Sequence, residues 1–478
     1  MQSRDIFRNI SPLDHRYWAA NEDIFERLSS CLSEEASVRY CARAEAALVK
    51  AHLAMRGRLD PVAAAALDEA AEGIDPVAVY AEEETTRHNV RALVNVMMRA
   101  LPDDLAPFVH LGATSVDILD TARAAGLRDA VADVVLPLLA TVLGHLCRIA
   151  AKEADTPQVG RTHGQHAVPI TFGFAMAEYA ARLGKCLPEI AARAADLRGK
   201  LAGATGSYNA LSMMYADPEA MERAYLANLG LKPSEHSTQL VEAEHVLRLL
   251  LEINVAFGII ANLADDLRNL QRSEIDEVRE RFGGGQVGSS TMPQKRNPWN
   301  SEHVKSLWKA FAPRAMTFFM DQISEHQRDL TNSASERFIA DFVAGFCAAA
   351  NRMRSVLESL VVNRERMLEN LRSSGGAVLA EPAYILLAES GDARAHETVR
   401  GITLVAERDG LSFAEALDRS PEARDAIFTK LRELGHGDPA AFFSSPESYN
   451  GLAANKAREI AARYAAVAEE YAGGAAGI

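Results

Sequence analysis

The stretch Gly283-Gly-Gly-Gln-Val-Gly-Ser-Ser-Thr-Met-Pro-Gln-Lys-Arg-Asn-Pro298 gathers four glycines, two adjacent serines and a cationic turn into sixteen residues. Glycines act as hinges, hydroxyls and backbone N–H groups hold anions, and Lys295 adds a positive charge. That is the composition of a loop that closes over a ligand. Its first half matches G-x-G-x-x-G, but the dinucleotide form of that pattern follows a strand and opens a helix. Here a charged helical pattern, Glu274 to Phe282, comes before it, and Pro293 and Pro298 come after. The chemistry expected of the stretch is therefore that of a moving loop rather than a dinucleotide cradle.

A second stretch, Gly160-Arg-Thr-His-Gly-Gln-His-Ala-Val-Pro169, places His163 and His166 three residues apart just before a helical pattern. Both could ligate zinc, yet no third ligand follows at a recognisable spacing. His163, beside Thr162 and Gln165, suits a general acid working near neutral pH, or equally a hydrogen-bonded structural histidine. Three further stretches combine polar groups in ways that fit either binding or helix capping. They are Glu82-Glu-Glu-Thr-Thr-Arg-His-Asn-Val90, Val109-His-Leu-Gly-Ala-Thr-Ser-Val-Asp117 and Gln327-Arg-Asp-Leu-Thr-Asn-Ser-Ala-Ser-Glu-Arg337. In the last, Arg328, Ser333 and Arg337 could clasp a phosphate, although a solvated helix end has the same composition.

The elements that must position these groups read as helices. Between Pro233 and Gly283, Val246, Leu249, Leu250, Ile253, Phe257, Ile260, Leu263, Leu267 and Leu270 recur at spacings of three and four. They form one apolar face on a helix of roughly 35 residues, about 50 Å long. Similar patterns run over residues 120–153, 170–200, 302–325 and 338–360, while alternating strand patterns are nearly absent. The fold class expected is all-α. Helices this long need partners of equal length, which implies a bundle shared between subunits. The breaks in the pattern divide the chain into an N-terminal helical domain (1–111), a central long-helix bundle with the glycine-rich loop (112–361) and a C-terminal helical domain (362–478).

The chain of 478 residues is 48% hydrophobic and 24% charged, as a globular protein should be, and its net charge of −14 argues against a nucleic-acid partner. Cys31, Cys41, Cys147, Cys186 and Cys347 are scattered, which fits buried thiols in a reducing compartment. The N-terminus has no apolar core of the signal-peptide kind, and the apolar segment near Val134–Leu146 is interrupted by Pro137. These features read as cytoplasmic, with no membrane partner.

Taken together, the stretches resemble the fumarase/aspartase superfamily of lyases. Its signature G-S-S-x-M-P-x-K-x-N-P appears unbroken from Gly288 to Pro298, with Glu302 beyond. Within that superfamily the chain is most similar to the adenylosuccinate lyase family. That similarity lies in Ser11-Pro-Leu-Asp-His-Arg-Tyr17, Thr86-Arg-His-Asn89, Gly160-Arg-Thr-His-Gly-Gln165, Ser237-Thr-Gln239, the run from Arg328, and Ala380-Glu-Pro382. Asn89 stands where many of that family carry aspartate.

The resemblance implies a three-domain, all-α homotetramer whose active sites draw on three subunits. It implies a small-molecule nucleotide substrate and neither a metal nor an organic cofactor. The reaction would be β-elimination of fumarate from adenylosuccinate, giving AMP, and from SAICAR, giving AICAR, in purine biosynthesis. Removing the weakly acidic Cβ proton builds charge on the adjacent carboxylate, which needs fixed donors and cations. By similarity Ser289 is the base and His163 the acid, with Glu302 holding His163. Lys295, Asn297 and loop N–H groups steady the carboxylate. His88, Thr114, Ser115 and Gln239 orient the succinyl part, while Arg16, Tyr17, Arg328, Ser333 and Arg337 take the nucleotide. Arg87, Asn89, Thr162, Ser290 and Met292 complete the binding set. An alternative keeps the loop and changes the substrate: a C–N lyase of secondary metabolism or a carboxymuconate cycloisomerase-like enzyme.

Overall fold

The computed structural model describes residues 5–281, 291–328 and 331–473. Helices dominate, and among the described residues strands occur only as three two-stranded pairs. The helices used below are α1 (Glu34–Met55), α2 (Ser115–Ala130), α3 (Leu136–Lys152), α4 (Phe172–Ala195), α5 (Glu244–Leu270), α6 (Trp299–Phe311), α7 (Ile339–Glu358) and α8 (Ala453–Ala472). Between α3 and α4 lies an antiparallel hairpin of β1 (Pro157–Thr162) and β2 (Gln165–Thr171).

Local chemistry accounts for the element ends. Ser33 caps α1 by accepting the Ala36 N–H, and Glu34 and Glu35 complement the positive end of the helix dipole. Thr114 and Asp117 form a capping box at the start of α2. Helices α2 and α3 run on through a π-helical turn at Val131–Val135. Pro137 has no N–H to offer the carbonyl four residues back, and Arg27 donates to that Asp133 carbonyl instead. The expected helix over 302–325 is split into α6 and Arg314–Met320 because Pro313 cannot continue the ladder. The long pattern after Pro233 forms a helix only over Glu244–Leu270. Residues before it are drawn into contacts with α2, and Val278–Arg279 pairs with Val361–Val362.

Helix α3 packs against α4, α7 and α8, while α5 packs against α4 and α6. Leu139, Leu143, Leu183, Leu187, Leu250, Phe257, Phe346 and Met353 share one continuous core. Phe257 and Phe346 meet edge to face at 5.4 Å. A second core is built from Leu371, Leu379, Leu387, Ile402, Phe413, Leu417, Ile427 and Phe443. After that core the chain returns, laying α8 on α3 and α4. Gly184 permits this approach, because a Cβ there would sit 2.2 Å from the Tyr464 ring. Two helical runs, Ser115–Lys152 and Glu244–Leu270, have the length and apolarity of membrane spans. In this fold most of that apolar surface faces other helices.

Candidate active site

The hairpin delivers His163. Thr162 pairs with Gln165, so His163 and Gly164 form the two-residue turn, and both have positive φ (54° and 75°). Such tight hairpin turns need left-handed backbone at both central positions. Histidine is among the few non-glycine residues enriched there, and the geometry leaves His163 exposed at the tip. Lower on the hairpin, Arg161 forms an ion pair with the fully buried Glu277 at 2.5 Å. Glu277 also accepts from Gln158 (2.7 Å) and Asn370 (2.9 Å). The strand carrying the histidine is thereby anchored to the segment that enters the glycine loop. His166 stands opposite Arg161 across the strands. Burial, and then the Arg161 charge, hold its pKa below the ordinary histidine value.

At the start of α2, Ser115 Oγ lies 3.5 Å from His88 Nε2. His88 caps the helix Asn89–Ala100 and accepts the Arg91 N–H at Nδ1, which leaves Nε2 to carry the proton in the neutral ring. Arg87 before it adopts the left-handed conformation (φ 52°), and the Asn89 side chain accepts its neighbour's N–H from Val90. Thr114 and Ser115 rest on a buried polar base. Asp117 and Lys200, both fully buried, form an ion pair, and Asp117 also accepts from the Thr114, Ala202 and Gly203 N–H groups. Nearby Gly206 (φ 82°) lies where a Cβ would be 1.9 Å from the Ser237 carbonyl, bringing that turn against the 237–239 loop.

The turn leading to Thr114 is gripped from α1. Glu45 accepts the His110 N–H (2.9 Å) and meets His110 Nδ1 at 2.7 Å. His52 Nε2 lies 2.8 Å from the Leu111 carbonyl, and its Nδ1 lies 2.6 Å from the Tyr215 hydroxyl. Burial disfavours charge on His110, but the Glu45 hydrogen bond and charge outweigh it and raise its pKa. His52 goes the other way: burial lowers its pKa to about 4. Sequence reading missed Glu45, His52 and Lys200, and gave His110 no role of its own within the Val109–Asp117 stretch. The available signal was a pair of polar residues, Glu45 and His52, spaced seven apart on an otherwise apolar helix face.

Gln239 and Arg328 come together, with Arg328 Nη1 donating to Gln239 Oε1 (3.3 Å) and the Gln239 N–H to the Gln327 carbonyl (3.1 Å). Ser333 and Arg337 lie exposed on the following segment. Met292, Lys295, Asn297 and Glu302 line one open cleft together with Arg268, Arg279 and Glu280. Glu280 fastens the base of this cleft, capping the start of α6 in place of Pro298 by accepting from the N–H groups of Asn300 (3.2 Å) and Ser301 (2.8 Å). Tyr17 Oη lies 3.1 Å from His303 Nε2, next to Glu302, while Arg16 is exposed. Ser289 and Ser290 lie outside the described residues. Among the described residues, no hydrogen bond or ion pair joins His163 to Glu302 within the chain.

The chain matches known lyases over most of its length. The lyase family model matches residues 10–309, and the model described as adenylosuccinate lyase C-terminal matches residues 324–438. The chain belongs to the fumarase/aspartase lyase family. Relatives include an adenylosuccinate lyase of Pyrococcus abyssi, 32% identical, covering 94% of this chain and 96% of that protein. One from Pyrococcus horikoshii is 32% identical over 96% and 98% of the two chains. Among solved structures, the 3-carboxy-cis,cis-muconate lactonizing enzyme of Pseudomonas putida is 26% identical. It superposes with a TM-score of 0.76, covering 96% of this chain and 100% of that one. A fumarate lyase from Mesorhizobium sp. BNC1, at 24% identity and TM-score 0.77, shares the fold and covers 92% of this chain and 98% of that one.

Proposed function

We propose that this carbon–nitrogen lyase cleaves adenylosuccinate to fumarate and AMP, and SAICAR to fumarate and AICAR, in the cytoplasm. The observation that carries the reading is the C-terminal family match over 324–438, which encloses Arg328, Ser333 and Arg337. Two guanidinium groups and a hydroxyl in one segment suit a nucleotide phosphate.

In this reading Ser289 takes the Cβ proton when the loop closes, while Lys295 and Asn297 hold the carboxylate on which charge develops. Excluding water and surrounding the hydroxyl with N–H donors and the Lys295 charge would bring so weak a base into range. His163, at the hairpin tip, gives a proton to the departing nitrogen, with Glu302 as its partner from another subunit. His88, Thr114, Ser115 and Gln239 orient the succinyl group; Arg16, Tyr17, Arg87, Asn89, Thr162, Ser290 and Met292 complete the pocket. No resident metal or cofactor enters the scheme.

The assembly is read as a homotetramer with sites shared by three subunits. Its support is the exposed apolar surface of Met316, Phe319, Met320 and Ile323, between 53% and 76% exposed, together with Val255 on α5. The division at 111 and 361 belongs to the same reading; the second core, of residues 371–443 with Val159 of β1, supports the second boundary, while α8 packs back into the first core.

The test is to incubate the purified protein with adenylosuccinate and measure fumarate and AMP. Turnover is expected, and Ser289→Ala should abolish it while leaving the solution mass unchanged. Near-normal rates in that variant would refute the base assignment. Turnover of 3-carboxymuconate in place of both purine substrates would favour the cycloisomerase-like alternative, whose fold this chain shares.

A further inference from the structure

Helix α2 does more than present Thr114 and Ser115 at its N-terminus. Along its length it carries three polar ties at steps of three residues, each rising about 4.5 Å along the axis. Asp117 holds the 200–203 segment, as described above. One step on, Asp120 Oδ2 accepts the Val241 N–H (3.1 Å), two residues beyond Gln239. A further step on, Arg123 donates to Glu336 (2.7 Å), the residue immediately before Arg337, and its other arm meets Asp120 at 3.4 Å. Succinyl-orienting and nucleotide-binding segments are thus hung from one helix.

The far segment has its own local ties. Asn332 donates to the Asp321 carbonyl (2.6 Å) and Ser335 to the Asp321 carboxylate (2.7 Å). Those bonds shape the 332–335 turn, while Arg123 fixes the turn's distance from α2. The pair borders a cavity of about 250 Å³ lined by Asp120, Arg123, Thr238, Val241, Asn332 and Glu336. The one-third of the Arg123 side chain that stays accessible therefore includes surface facing this confined space. A two-armed guanidinium in such a place sets geometry more firmly than an ion pair in open water.

We propose that Arg123 is a positioning residue that fixes Arg337 and Ser333 relative to Ser115 and Gln239, and so sets the enzyme's preference for a phosphate-bearing substrate. It touches no substrate itself. The inference rests on the nucleotide reading above.

The experiment compares two substrates, adenylosuccinate and its dephosphorylated nucleoside, in wild type, Arg123→Met, Arg123→Lys and Glu336→Gln. For Arg123→Met, kcat/KM for adenylosuccinate should fall on the order of tenfold to hundredfold, mostly through KM, with the nucleoside changed less than about twofold. Arg123→Lys should be intermediate, because it keeps the charge and loses the fork. Glu336→Gln keeps the shape of the partner and should show the same selective loss if Arg123→Met fails to fold. Equal losses on both substrates, or no loss on either, would overturn the proposal. A wild-type protein that does not turn over adenylosuccinate overturns the functional reading itself, a result obtained before any substitution is made.

Discussion

At the N-terminus of α2, Thr114 and Ser115 stand on paired charges that water does not reach, whereas residues 291–296 lie exposed at the rim of the cleft. The first region is held from three sides, by Asp117 with Lys200, by Glu45 and by His52. In the second, Glu280 clasps the start of α6, Gln271 accepts the Glu280 N–H, and Gln271 Nε2 donates to the Arg296 carbonyl (3.5 Å). Groups that orient a substrate gain from being fixed beforehand, since no ordering is then left to the moment of binding. In the proposed reaction the loop closes over the substrate, and a loop with that task is held at its ends rather than along its length.

Removing the buried support at α2 should have the largest effect. Lys200→Met strands Asp117 as a lone buried charge and should cost about 3–5 kcal/mol, read by thermal or denaturant unfolding. A loss below about 1 kcal/mol would show that this base is not what holds the region.

His52 probes the same region through pH. Its folded pKa of about 4 lies below the ordinary 6.5, so the unfolded chain takes up the proton first as pH falls. Its contribution is complete above pH 6.5 and is lost progressively toward pH 4, up to about 3 kcal/mol. His52→Gln should flatten the pH dependence of unfolding in that window.

The loop side should respond more in rate than in stability. Glu280→Gln weakens the cap on α6 by about 1 kcal/mol and should lower kcat on the order of tenfold through loop misplacement. An unchanged kcat would separate the loop base from the chemistry. The smallest effect is expected outside both regions, at the exposed Arg463–Glu459 pair on α8. There Arg463→Ala should stay within about 0.5 kcal/mol of wild type.

The legibility of the sequence differed between the two regions in the opposite sense. The loop stood out because glycine, serine, proline and lysine cluster in a short stretch whose meaning is local. The supports of α2 stood out less, because Glu45 and His52 are two polar residues in a long helix and Lys200 stands alone between glycines. Their importance comes from partners 65, 59 and 83 positions away. The hairpin was missed for a related reason. Its strands have an irregular register between Val159 and Arg161 and include Pro169, so the alternation that marks a strand is blurred. The His163–Gly164 pair was its best local sign, since a glycine at the second position suits a two-residue hairpin turn.

Sequence by itself determined where the main helical stretches lie and which short stretches gather glycine, hydroxyl, histidine and arginine groups. Each depends on interactions within a few residues: periodic apolar faces, caps and missing N–H groups. Only the tertiary structure decided which polar residues share a buried partner, that the hairpin carrying His163 is anchored by Glu277 before the loop, and that α2 ties three segments to one axis. Those facts follow from the cost of burying charge without a partner. That cost is met by whichever residue the fold brings near, and neighbours in space leave no mark on neighbours in sequence.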